Sequence, residues 1–108
     1  VQAQETEKNQ EQQSYDQKLD YKVFEDSSER LLEWSDIYML SNEDIRIAKN
    51  EIYARHGYIF KDENLKNYFM GQLWYIPSVK AEEFDDSVFS DIEKRNLELL
   101  NRLDTYKK

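Results

Sequence analysis

The stretch from Ser41 to Phe60, SNEDIRIAKNEIYARHGYIF, constrains the fold most, because it carries a start signal, a helical body and a stop signal. Ser41 can cap a helix, its hydroxyl accepting a bond from an unpaired backbone N–H of the first turn. Glu43 and Asp44 place negative charge at the positive end of the helix dipole. Leu40 and Ile45 have the spacing of a hydrophobic staple. Ile45, Ile52 and His56 fall on one face at the 3.6-residue period, with Ala48 beside them. Glu51 and Arg55 stand four apart with the acid first, the favourable order for a helix ion pair. Gly57 follows where the helix must stop, since glycine takes the left-handed conformation without steric cost. The spacing predicts a capped helix of about four turns. It predicts no activity.

The rest of the chain reads as short elements around that helix. Val1 to Lys18 holds only Val1, Ala3 and Tyr15 as apolar residues and is otherwise Gln, Glu, Asn and Lys-rich. Such a stretch buries too little apolar area to offset the entropy of ordering it, so it reads as a polar tether. Tyr21, Val23 and Phe24 alternate with charges and are left between tether and domain. Leu31 and Leu32 are expected to be buried, and Ser35 to cap a short turn through Ile37, Tyr38 and Met39. Asp62 can cap a helix with Leu65, Tyr68 and Phe69 inside, ending near Gly71. Leu73 to Ile76 is stopped by Pro77, which pushes Ile76 toward an extended conformation. An acidic connection from Lys80 to Asp86 has Phe84 as its anchor. Ser90 and Glu93 form a capping box for a last helix with a stripe of Ile92, Asn96, Leu99, Leu100 and Leu103.

Charge and residue types exclude several function classes. The net charge is −8 with no basic stripe, whereas nucleic acid needs a positive surface that displaces counterions from phosphates. Cysteine is absent and His56 is the only histidine, which removes the common zinc sets. The acidic pairs Asp85-Asp86 and Asp62-Glu63 lack calcium-loop spacing. No cofactor or metal is expected. No apolar run reaches membrane-spanning length, and no signal peptide is visible; an export signal or anchor is expected upstream of Val1.

His56 as a general base would need Glu51, or an acid from the last helix, to orient it. The competing structural reading has His56 bonding spare carbonyls at the helix end. No serine sits in a nucleophile-elbow context. Asn96 lies within an apolar stripe, and a buried amide must find partners. Arg55 carries five donors in a fixed fork that suits carbonyl and carboxylate clusters. We therefore expect Asn50, Arg55, His56 and Asn96 in a buried polar network joining the first long helix to the last. The alternative has Arg55 facing outward as an anion-binding residue. Tyr53, Tyr58 and Tyr75 are the candidates for an exposed, ligand-stacking aromatic; the competing reading puts the Trp74-Tyr75 pair in the core, with Trp74 inside and the Tyr75 hydroxyl near a polar partner.

The run Ile47-Ala48-Lys49-Asn50-Glu51-Ile52-Tyr53-Ala54-Arg55-His56-Gly57 closely resembles the signature of the YARHG domain family, with all five residues of Tyr53 to Gly57 present. Phe60-Lys61-Asp62, Tyr68-Phe69, Trp74-Tyr75 and Glu93 with Asn96 also resemble the family pattern, and the likeness runs roughly from Ser28 to Leu103. Lys49 stands where the family commonly has arginine, and Glu33 where a capping threonine is usual. The resemblance implies an extracellular, cell-envelope setting in bacteria, attached to peptidases, kinases and other envelope proteins. It implies no molecular activity.

Together these readings predict an all-α fold, a small bundle of three main helices with short extended or turn segments. The domain boundary is set after residue 24, with a tether over 1–24 and the domain over 25–108. The expected function is a non-catalytic accessory module that binds a surface polymer, a peptide or a partner protein, without nucleic acid or membrane insertion, and as a monomer. The alternative is an architectural spacer or regulator of a neighbouring domain with no ligand of its own.

Overall fold

The computed structural model describes residues 22–107. The tether expected from Val1 onward lies outside the described residues up to position 21. The described chain opens with an irregular strap, residues 22–33, that turns at Asp26, where the Glu29 and Arg30 amides bond its carbonyl at 2.9 and 3.0 Å. Four α-helices follow: α1 (Trp34–Ile37), α2 (Asn42–Arg55), α3 (Glu63–Met70) and α4 (Asp91–Lys107). Two 3-10 turns, Ala81–Glu83 and Asp86–Val88, lie in the acidic connection before α4. The fold is all-α, and α2, α3 and α4 are its main helices.

Local chemistry sets the helix ends. Ser41 Oγ accepts the Asp44 amide at 3.0 Å and Asp62 accepts the Leu65 amide at 3.1 Å. At α4, Ser90 and Glu93 cap each other's amides reciprocally, at 2.9 and 3.1 Å. Each such cap contributes about 1 kcal/mol. Helix α2 ends in a Schellman motif: the Gly57 amide bonds Ala54 C=O at 2.9 Å and the Tyr58 amide bonds Tyr53 C=O at 3.3 Å. Gly57 has φ of 81° there. Its carbonyl then accepts the Ser78 and Val79 amides at 2.8 and 2.9 Å, which ties the chain beyond Pro77 to the end of α2. Tyr58 and Val79 form an isolated parallel β-bridge at this point.

Helix α2 is buried on two sides. On one, Ile45, Ala48 and Ile52 meet Leu97 and Leu100 of α4, with Leu32, Ile37 and Phe89 completing the cluster. On the other, Ile47 and Ala54 meet Phe60, Leu65, Phe69 and Tyr75. Phe69 is fully buried, and a side chain of that size contributes about 1.5–3 kcal/mol by leaving water. Val23 packs against both clusters.

Val23 and Phe24, left between tether and domain by the sequence, pack against the helical core. Three expectations need correction. Leu31 is 45% exposed while Leu32 is buried, its amide held by Asn96 and its side chain in the cluster with Ile37 and Leu97. Ser35 lies inside α1, whose start is Glu33: the Glu33 amide bonds Asp36 Oδ2 at 2.7 Å. Trp74 is half-buried and Tyr75 is the buried member of the pair.

Gly57→Ala should destabilise the domain strongly. The positive φ alone costs about 1 kcal/mol, and a Cβ there would lie 2.0 Å from Ser78 Oγ and 3.3 Å from Ile76 C=O. A thermal midpoint equal to that of the parent chain would contradict this account of the helix end.

Candidate functional site

Two constellations hold the polar and aromatic residues singled out by the sequence. One is internal, and the other is an open depression.

The internal constellation is built where the strap crosses α2 and α4. Glu51 is fully buried. Its carboxylate accepts the amide of Val23, and that of Phe24 at 3.1 Å. One turn on, Arg55 donates to the Phe24 carbonyl, to Ser27 Oγ at 2.7 Å and to Ser28 Oγ at 3.1 Å. Asn96 on α4 works from the other side. Its amide group donates to the carbonyls of Ser27 and Arg30 at 2.8 and 2.9 Å, and its oxygen accepts the Leu32 amide at 2.8 Å. The Ser28 hydroxyl donates to Glu93 at 2.6 Å, and His56 Nε2 lies 3.0 and 3.1 Å from the two Glu93 oxygens.

Electrostatics in this cluster runs both ways. Burial pushes the Glu51 carboxyl up to about 7, although the Val23 and Phe24 amides, Arg55 and Lys22 favour its charged form. Burial would also raise Glu93, but the Ser28 hydroxyl, the Ser90 amide and His56 outweigh it and hold this carboxyl below its ordinary range. Arg55 thus faces the strap, not an external anion, and meets Asn96 through Ser27. His56 bonds an acid of the last helix, where a bond to spare helix carbonyls was the structural expectation. Its ring packs edge-on against Phe89 with centroids 5.2 Å apart. Asn50 is a correction: its side chain bonds the Arg46 carbonyl of its own helix at 2.9 Å, because it faces along α2 rather than toward the strap. Glu51, read from the sequence as half of a helix ion pair, sits 3.8 Å from Arg55 and spends its oxygens on the strap.

The open constellation centres on Tyr53. Its ring packs against Tyr58, Phe84 and Phe89 with centroid distances of 5.3, 5.5 and 5.1 Å. A shallow depression of about 430 Å³ lies over it, lined by Tyr53, Glu82, Glu83, Phe84, Asp85 and Asp86. A neighbouring one of about 390 Å³ shares Tyr53 and Asp86 and is walled by Phe89, Lys94, Leu97, Glu98 and Asn101. Burial, then the charge of Asp86, raises the Tyr53 hydroxyl above its ordinary pKa. Of the three tyrosine candidates, Tyr53 lines this opening and Tyr58 stands behind it, half-buried. Tyr75 is not exposed: it is 5% accessible and lies in the core, where its hydroxyl has the polar partner expected for it, the Tyr58 carbonyl.

The family model described as YARHG domain matches residues 20–105. This chain belongs to the YARHG domain family. No curated protein and no solved structure matches it. In this YARHG domain the five signature residues have separate tasks. Tyr53 opens to the depression, Ala54 packs inside, Arg55 grips the strap, His56 reaches Glu93, and Gly57 ends the helix.

Among the described residues, no group of three or more His, Cys, Asp or Glu side chains is placed to hold a metal ion. Among them, too, no helix is long and apolar enough to cross a membrane. The acids around Tyr53 were visible in the sequence as the Lys80 to Asp86 connection. Which aromatic they surround is decided by tertiary packing. The exposed pair Trp34 and Tyr38, stacked with centroids 6.2 Å apart beside Met39, gave no sequence signal as a surface.

Asn96→Leu should destabilise the domain despite adding apolar area. It orphans the Ser27 and Arg30 carbonyls and the Leu32 amide, and leaving buried polar groups unpaired costs about 1–3 kcal/mol each. Chemical denaturation measures this directly, and a neutral or stabilising outcome would contradict the buried role of Asn96.

Proposed function

We propose that this YARHG domain is a non-catalytic binding module of a bacterial cell-envelope or secreted protein, and that it takes an amine-bearing wall polymer at the Tyr53 depression. The observation that carries the reading is the pairing of an aromatic wall, Tyr53 and Phe84, with four carboxylates, Glu82, Glu83, Asp85 and Asp86, around one opening. An ammonium over an aromatic face gains about 0.5–2 kcal/mol, depending on how far it is desolvated. The carboxylates add attraction that depends on ionic strength. The net charge of −8 repels anionic polymers and nucleic acid, which leaves cationic surfaces as the complementary partners. The extracellular placement rests on the family. Residues upstream of Lys22 would serve as the tether that displays the domain, and the domain would act as a monomer.

Catalysis has little support. The His56 ring nitrogen that reaches Glu93 is engaged inside the fold, and neither depression at Tyr53 is lined by His56. A second reading, an architectural spacer without a ligand, is favoured by one observation: Arg55, His56 and Tyr75 all spend their polar groups internally.

Co-sedimentation with purified cell-wall material distinguishes the two. The binding reading expects retention at low salt that weakens at physiological salt, is lost when the wall amines are acetylated, and is lost in Tyr53→Ala. Absence of retention under every condition, by a domain shown to be folded, would leave the architectural reading.

A further inference from the structure

We propose that the Tyr53 depression is one end of a longer groove, and that this groove binds an extended peptide with a free amine and a free carboxylate. The amine lies at Tyr53 and the carboxylate at Lys94 and Arg95. The proposal rests on the amine reading of the Tyr53 depression and adds the class of the ligand and its second charge.

Three depressions follow one another around the first turns of α4. The acidic one over Tyr53 shares Tyr53 and Asp86 with the depression beside α4. Lys94 lines that second depression and also a third, of about 410 Å³, whose other walls are Leu31, Asp91, Ile92 and Arg95. Shared walls make the three one surface track, and its ends differ in charge. One end carries Glu82, Glu83, Asp85 and Asp86; the other carries Lys94 and Arg95, with Asp91 beside them. Both cations are exposed. Arg30, Arg46, Lys49, Arg55 and Lys61 all meet acids in ion pairs. Among the described residues Lys94 and Arg95 form no such pair, although Asp91 and Glu98 stand one helical turn away. Two positive charges are thus available to a ligand in a chain whose net charge is −8.

The middle of the track fits a peptide backbone. Buried Phe89 and Leu97 give it an apolar floor, and exposed Asn101 stands at its edge. An asparagine side chain offers a donor and an acceptor, the same pair that a peptide unit presents. Lys94, Leu97, Glu98 and Asn101 share one face of α4 and span about 10 Å of its axis. That is the length of about three extended residues. At the far end, exposed Leu31 and half-buried Ile92 offer apolar contact to a side chain next to the carboxylate. An amino sugar supplies the amine without the acid, whereas a peptide carries both. Charge also fixes its direction, because a reversed peptide would set like charges against each other at both ends.

The experiment is an NMR shift titration of the full chain at low salt with alanine-based peptides of about three to five residues. Their ends are left free, or the amine is acetylated, or the carboxylate is amidated, or both are blocked. The peptide with free ends should bind most tightly. Each block should weaken binding by about two- to fivefold, the size of an exposed ion pair. In the double variant Lys94→Gln, Arg95→Gln, whose sites lie on the surface, amidation should cost nothing further while acetylation still does. Equal binding of free-acid and amidated peptides overturns the proposal, and so does an undiminished amidation effect in the double variant. If acetylation still weakens binding in either case, the amine reading of Tyr53 stands. Equal binding of free-amine and acetylated peptides overturns both. Absence of binding by every peptide overturns the proposal, and retention on wall material then decides the amine reading separately.

Discussion

The fold depends on how a short irregular strap satisfies its backbone. Buried N–H and C=O groups need partners, and helices and sheets normally provide them. Residues 22–33 form no ladder. Side chains of α2 and α4 supply the partners instead. Glu51 takes two amides, Arg55 takes the Phe24 carbonyl, and Asn96 alone satisfies two carbonyls and one amide. An acid, a base and an amide thus do for this segment what a neighbouring strand does elsewhere. Without them the strap would leave the core, and Leu32 would lose its place beside Ile37 and Leu97.

This requirement explains why a domain with so many polar residues in its central helix shows so little chemistry. Most of the polar groups that a catalytic or anion-binding reading would use are engaged inside. His56 is turned to Glu93, and Glu93 also receives Ser28 and caps α4, so one carboxylate joins the strap, the end of α2 and the start of α4. The residue of the signature run that opens outward is aromatic. Tyr53 is held by Phe84 and Phe89 from the connection before α4, and the same connection carries the acids that surround it. The internal polar cluster and the open depression are therefore two sides of one helix end, linked through Phe89, which touches both His56 and Tyr53.

What could be read in the sequence was local. As caps, Ser41, Asp62, the Ser90 and Glu93 pair and Gly57 act within four residues of themselves, and each stands at the element end where its chemistry placed it. The polar contacts of the strap with α2 and α4 span 27 to 69 residues, and periodicity carries no record of such distances. Glu51 shows the consequence. Its spacing from Arg55 matches a helix ion pair, and only the strap lying over it turns the pair inward. Asn50 errs the other way, since a polar residue beside a signature looks like a network member and here bonds its own helix. Tyr75 is buried more deeply than Trp74 because the Tyr58 carbonyl, brought near by the bridge to Val79, gives the tyrosine hydroxyl a buried partner.

The central claim is that Arg55 and Asn96, from different helices, act on one strap through Ser27. A double-mutant cycle with Arg55→Met and Asn96→Ala, read by chemical denaturation, tests it most directly. The two side chains meet only through the Ser27 turn, which both hold, so the account predicts that the two losses fall short of additivity by about 0.5–3 kcal/mol, as for residues sharing one network. Losses that add within about 0.3–0.5 kcal/mol, the behaviour of independent sites, would contradict it.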